Sequence, residues 1–333
     1  MPVRAYAAKS AKGKLEPFEY EPGPLGPEDV EVRVTHCGIC HSDVAMIDND
    51  WGWSQYPLVP GHEVVGTVAA VGSQVKYLAA GQRVGVGWSS GSCGHCEWCS
   101  RGKEMFCPEE KWTIVGRHGG FASSVRCKWN YAIPIPDGLD SAGAAPLLCA
   151  GTTVFTPMVH FGVKPTMKAA VVGVGGLGHL AVQYLAAFGC DVTAISSTHG
   201  KDEEARKFGA TRFIATKETD ELAKAANSFD FVISTVSADV NWPAIIGTLR
   251  PHGRLAIAGL PESDLKFSVM SIIAEKSVSG ARTGSPSDTA GMLAFSARHG
   301  IKAKIESFPM TELHKAVDHV RAGKARFRAV LVA

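Results

Sequence analysis

The chain has no apolar stretch of the roughly 20 residues that a helix needs to cross a bilayer. Residues 1–10 also lack the apolar core of a secretory signal. These two absences make the cytoplasm the expected compartment and leave no role for a membrane. Charge of one sign is not in excess: the net charge is +2, with no basic stripe. Nucleic acid and anionic membrane surfaces are therefore not expected partners. There is no internal repeat and no low-complexity tract, which excludes a solenoid or a linker-rich chain. The nine cysteines are odd in number and suit a reducing compartment better than a disulfide framework. With 45% hydrophobic and 20% charged residues over 333 positions, the chain has an ordinary globular balance. It is long enough for two domains, each with its own core.

Four of the cysteines lie close together, as Cys93-x2-Cys96-x2-Cys99-x7-Cys107. Thiolates at such spacings can close on one tetrahedral Zn²⁺ without further ligands, the pattern of a structural site. Elsewhere stand Cys37-Gly38-Ile39-Cys40-His41-Ser42-Asp43, Gly61-His62-Glu63 and Leu147-Leu148-Cys149-Ala150-Gly151. Cys40, His62 and Cys149 together would offer one imidazole and two thiolates and leave a fourth position open, as catalytic zinc requires. Singly each is weak evidence, since a lone cysteine is most often a small core residue. Cys37, Cys127 and Cys190 then remain without a role.

Downstream, Val171-Val172-Gly173-Val174-Gly175-Gly176-Leu177-Gly178 follows an apolar run beginning at Lys168. A helix-period segment, 180–189, comes next, and then a second apolar run, 192–195. Strand, glycine loop, helix and strand are the context in which G-x-G-x-x-G binds a dinucleotide, with pyrophosphate on the helix N-terminus. An NAD site usually places a carboxylate about 20 residues beyond the glycines to hold the ribose 2′-hydroxyl. Here Ser196-Ser197-Thr198-His199-Gly200-Lys201 occupies that place, with no carboxylate before Asp202. Hydroxyls and the Lys201 cation suit a 2′-phosphate, so NADP(H) is the expected cofactor. The bland reading is a polar loop that only starts the next helix, with Thr198 or Asp202 as its cap.

Short β-type segments dominate the first part of the chain, including 30–34, 64–71 and 83–86, with the zinc ligands expected on the loops between them. From about residue 152 strands alternate with helices, predicting an α/β fold with a parallel sheet. The boundaries expected are 1–151 for a first domain, with a metal lobe at about 90–110, then 152–284 for the nucleotide domain. Residues 285–333, ending in a strand at 329–332, should return to the first domain. Gly259, Ser279 and Gly280 fall at the carboxyl ends of later strands, where ligands bind in such sheets. With Thr153, Thr235 and Val236 they are further candidate cofactor contacts.

Taken together these segments resemble the zinc-containing medium-chain dehydrogenase/reductases, over essentially the whole chain. The motifs around Cys40, His62, Cys149 and Ser196, with the four-cysteine lobe, are most similar to the cinnamyl alcohol dehydrogenase-like branch. The stretch from Met46 to Pro57 looks closer still to bacterial broad-range aldehyde reductases within it. The resemblance implies a GroES-like β-rich catalytic domain and a Rossmann cofactor domain. It also implies two zinc ions per chain, NADPH-linked interconversion of aldehydes and primary alcohols, and a homodimer built through the cofactor domains. Ala45 stands where plant members commonly carry a histidine, which argues against a plant-type cinnamyl alcohol specialist.

On this reading zinc is a Lewis acid toward the carbonyl and the cofactor supplies hydride. Ser42 is the candidate proton donor; His41 continues the relay or contacts the pyrophosphate. Asp43 orients the ligand histidine, and Glu63 is a neighbour of the metal or a transient fourth ligand. Trp51 and Trp88, with Trp53 and Trp112 as weaker candidates, could line an apolar substrate pocket. Alternatives are a cinnamyl-type specialist, an NAD-linked alcohol or polyol dehydrogenase of the same fold, and a non-enzymatic NADP-binding protein. A zinc-ribbon nucleic-acid binder is disfavoured by the near-neutral charge.

Overall fold

The computed structural model describes residues 2–218, 220–261 and 263–333. The chain divides into two compact units, Met1–Thr152 with Thr283–Ala333, and Thr153–Arg282. Relative to a break at residue 285, the return to the first unit comes two residues earlier. The Gly284 amide donates to the Thr152 hydroxyl (3.2 Å), which lies 3.3 Å from that of Thr289.

The first unit is built on a seven-stranded sheet. Its order is Ile305–Pro309, Arg328–Val332, Asp29–Ile39, Glu63–Val71, Arg83–Val86 and Ile133–Pro134, with Ser124–Lys128 also paired to Asp29–Ile39. Along Asp29–Ile39 every second residue from Val30 to Val34 is buried, the period expected of a strand with one face on the core. Each such valine contributes about 1.5–3 kcal/mol by leaving water. This strand runs five residues beyond the 30–34 segment read from alternation. The extension exists because His36–Ile39 pair with Ala329–Val332 from the far end of the chain, a partner no local pattern could reveal. It carries Cys37, Gly38 and Ile39 in the sheet and delivers Cys40 at its end.

In the second unit six parallel strands run in the order Arg212–Ala215, Asp191–Ser196, Lys168–Val172, Phe229–Ser234, Leu249–Ile257 and Ser277–Gly280. The order reverses between Lys168–Val172 and Phe229–Ser234, the switch point at which open parallel sheets bind ligands. Lys168–Val172 is followed by the helix Gly178–Ala187. Among the described residues no single helix is long and apolar enough to cross a membrane. All nine cysteines are unpaired.

Candidate active site with two metal centres

Cys40 caps the helix His41–Asp48 at the point where the long strand ends. Asp43, in the first turn of that helix, is fully buried and organises three segments at once. One carboxylate oxygen accepts the Cys40 amide (2.9 Å), and the other accepts the Gly61 amide (2.8 Å) and His62 Nδ1 (2.9 Å). A carboxylate only accepts, so Nδ1 carries the proton and Nε2 presents its lone pair. Nε2 lies 3.3 Å from the Cys149 thiol. Cys149 follows the tight turn Ala145–Leu148.

Metal-binding atoms of Cys40, His62, Glu63 and Cys149 all lie within 4.8 Å of one another. The hydrogen bond to Cys149 draws the Cys40 thiol well below its usual range despite burial. Burial opposes an imidazolium at His62, but Asp43 and Cys40 outweigh it and raise the affinity of the ring for a proton. The pocket is therefore a largely buried donor set of two sulfurs, an imidazole and a carboxylate, with Cys149 part-exposed, which suits the borderline-soft Zn²⁺.

Glu63 needs a cavity of its own. A Cβ on Gly38, its register partner, would lie 2.0 Å from Glu63 Oε2, so only glycine leaves room for the carboxylate there. Glu63 Oε1 accepts a hydrogen bond from the buried Arg328, while Oε2 is buried without a partner. Burial pushes the Glu63 carboxyl up to about 7, against the pull of Arg328. An orphaned carboxylate oxygen beside three further ligands is a second sign that a cation completes this site. Arg328 was missed in the sequence. Its only signal was a single charge opening the otherwise apolar strand Arg328–Val332.

The rest of the Cys40–Asp43 segment grades from interior to surface. Ser42 is half-buried with its hydroxyl 3.7 Å from the Cys40 sulfur, and His41 beside it is exposed. Trp88 packs edge-on against His62 with ring centroids 5.0 Å apart. Trp51 lies 6.3 Å from Trp88, Trp53 lies 5.4 Å from Trp51, and Trp112 lies 5.5 Å from Trp53. Trp112 is in turn 6.1 Å from Trp88, so the four indoles close into one cluster beside His62.

The second centre is the four-cysteine lobe, whose sulfurs also lie within 4.8 Å of one another. Cys93 and Cys99 sulfurs are 3.9 Å apart, and the Cys96 amide donates to the Cys93 sulfur (3.3 Å). Backbone amides, that of His95 foremost, pull the Cys93 thiol down to about 6. The short helix Glu97–Ser100 buries no residue, and the following turn Glu104–Phe106 buries only Met105. A loop with so little core needs a cross-link, and four convergent sulfurs fit zinc.

In the second unit the glycine motif forms the turn before the helix Gly178–Ala187, with Gly176 inside it and Leu177 at the helix cap. A Cβ on Gly178 would lie 1.8 Å from the Gly173 carbonyl, whereas one on Gly175 would meet nothing within 4 Å. Gly178 thus permits the turn, and Gly175 keeps a surface open above it. The Thr235 hydroxyl lies 3.1 and 2.9 Å from the carbonyls of Val172 and Gly173, so it shapes this turn from the neighbouring strand. Val236 packs where a Cβ on Gly173 or Gly259 would intrude. Ser196 ends its strand, Ser197 and Thr198 are exposed, and Lys201 Nζ donates to the Val174 carbonyl (2.7 Å) inside the glycine motif. Thr153 lies on the helix Ala150–His160. Ser279 and Gly280 end the outermost strand, two strands from the switch point.

Comparison with known proteins gives concordant results. Residues 26–137 match the alcohol dehydrogenase GroES-like domain family, and residues 176–298 match the zinc-binding dehydrogenase family. The chain is 46% identical over 330 residues to the aldehyde reductase AdhA of Synechocystis, covering 99% of this chain and 98% of that protein. A cinnamyl alcohol dehydrogenase of Sorghum bicolor superposes with a TM-score of 0.95 at 38% identity, covering 100% and 98% of the two chains. The Helicobacter pylori cinnamyl alcohol dehydrogenase, solved with NADP(H), superposes at 0.90 with 30% identity over 100% and 98%. With both family models and essentially the whole length matched, the chain belongs to the zinc-dependent medium-chain dehydrogenases of alcohols and aldehydes, in the cinnamyl alcohol dehydrogenase-like branch.

Proposed function

We propose that the protein is an NADPH-linked, broad-range aldehyde reductase. The observation that carries the cofactor choice is the segment 196–201, where hydroxyls and a lysine replace the acidic residue of an NAD site. Lys201 lies against the glycine turn through Val174, close to where a dinucleotide's phosphates would sit. Support also comes from the Helicobacter relative and its NADP(H).

Cys40, His62 and Cys149 would hold a zinc that polarises a carbonyl oxygen, while Cys93, Cys96, Cys99 and Cys107 would hold a structural one, and the bound nicotinamide would supply hydride. Asp43 fixes the His62 tautomer, so that the ring donates its lone pair at Nε2. Ser42 hands a proton toward the product oxygen and is resupplied through exposed His41. Glu63, held by Arg328, keeps a carboxylate within reach of the ligand set as an alternative donor. Trp51 and Trp88 give the pocket an apolar wall that excludes water and accepts the body of an aldehyde.

The outer edge of Ser277–Gly280 pairs with no strand among the described residues. Val269, Met270 and Ile273, just before it, are 74, 70 and 65% exposed. An open sheet edge beside an apolar patch supports a homodimer through the cofactor unit. Nine unpaired cysteines support a cytoplasmic protein.

The test is cinnamaldehyde-dependent oxidation of NADPH against NADH by the zinc-loaded enzyme. NADPH should be favoured about 10- to 100-fold in kcat/KM, the worth of one or two charge-assisted hydrogen bonds. Lys201→Ala should remove much of that preference. A preference for NADH would overturn the cofactor assignment and leave the dehydrogenase class standing.

A further inference from the structure

A small cavity of about 170 Å³ opens in the first unit between the Leu15–Tyr20 strand, the 115–120 loop and the Ser124–Lys128 strand. Tyr20, Arg117, His118, Ser124 and Arg126 line it. The two arginines are in different states. Arg126 is fully engaged: its Nε and Nη2 each lie 2.7 Å from Glu31, and its Nη1 donates to the carbonyls of Pro22 (2.9 Å), Gly23 (3.0 Å) and Pro24 (3.2 Å). Among the described residues Arg117 makes one hydrogen bond, from Nη2 to the Arg126 carbonyl (2.9 Å), and has no carboxylate partner. Glu31 offsets Arg126, while Arg117 brings a positive charge with no ion pair among the described residues.

Its neutral groups are also unpartnered. The hydroxyls of Tyr20 and Ser124 make no hydrogen bond among the described residues. His118 Nδ1 is buried without a partner, and the His118 ring packs 4.2 Å from that of Tyr20. Burial holds the imidazole below its usual proton affinity, so it adds a hydrogen-bonding group and no charge. A guanidinium with most of its N–H groups unused and two hydroxyls around a concave space is the donor set of a small oxyanion, phosphate or carboxylate.

We propose that this cavity binds a small oxyanion through Arg117, Tyr20 and Ser124, at a site separate from both metal centres. The position gives such a ligand a structural reach. The loop continues from Arg117 and His118 into Gly119, Gly120 and Phe121, whose amides donate to Val59 (2.8 Å), Gly61 (2.7 Å) and Pro60 (2.9 Å). Gly61 is in turn held by Asp43, next to His62.

The experiment is calorimetric titration of the zinc-loaded enzyme with inorganic phosphate and, separately, acetate. Saturating NADP⁺ keeps the cofactor's own phosphate sites filled, and chloride at equal ionic strength is the control. One of the two anions should bind with a Kd of about 1 mM. Arg117→Gln should weaken it at least about tenfold, the scale of one lost charge-assisted contact. If Arg117→Gln misfolds, the double variant Tyr20→Phe/Ser124→Ala is the second probe, and it should weaken binding several-fold. Tighter phosphate assigns a phosphate head, and tighter acetate a carboxylate. The proposal is overturned if neither anion binds, or if the folded variants bind as the parent does.

Discussion

Asp43 shows how much of the site one side chain can set. It bonds the Cys40 amide, the Gly61 amide and His62 from inside the core, so it positions two of the proposed zinc ligands and fixes a tautomer. Partners of this kind are worth about 10- to 100-fold in metal affinity. Asp43→Asn should therefore lower affinity at the catalytic centre by that factor and spare the cysteine lobe. Dialysis against a mild chelator, followed by metal analysis, should leave about one zinc per chain where the parent keeps two. Loss of both metals, or of neither, would contradict this role. Asp43 was legible in the sequence because it lies three residues from Cys40 on what reads as one motif. Arg328 was not, because its partner Glu63 is 265 residues away and only the pairing of the last strand brings them together.

At the scale of the element, the glycine turn separates two requirements that the motif alone merges. Gly178 is needed by the fold, since any side chain would meet the Gly173 carbonyl. Gly175 lies open, so its need arises only when a ligand approaches the backbone. Gly178→Ala should lower the melting temperature by several degrees, the effect of about 1–3 kcal/mol of overpacking. Gly175→Ala should leave that temperature unchanged and raise KM for NADPH about tenfold or more, read by thermal unfolding and steady-state kinetics side by side. Equal behaviour of the two variants would mean that the distinction is wrong. The strand–turn–helix order was readable because apolar runs and glycine punctuation are local. The reach of the Asp29–Ile39 strand to Cys40 was not, because a second chain segment stabilises it.

For the whole molecule, the open edge at Ser277–Gly280 and the exposed Val269, Met270 and Ile273 lie on one stretch of the cofactor unit. A mass near twice 35.3 kDa is expected by light scattering at micromolar concentration. The double variant Val269→Glu/Met270→Glu should shift it toward the monomer, because charge on an apolar patch that association would bury opposes it. A parent that runs as a monomer would remove the homodimer reading, and the zinc and nucleotide assignments would stand untouched.

The sequence by itself determined the chemistry: the cysteine lobe, the ligand motifs, the glycine loop and the missing carboxylate are statements about residue type and short spacing. Such patterns survive without coordinates because metal and phosphate recognition depends on donor identity and local backbone geometry. Only the tertiary structure decided what long-range packing sets. It placed Arg328 on Glu63, gathered four tryptophans beside His62, and set Arg117 in a cavity with one backbone hydrogen bond. Those contacts join residues from distant segments, and their energies depend on burial and on which charges meet, neither of which a linear spacing encodes.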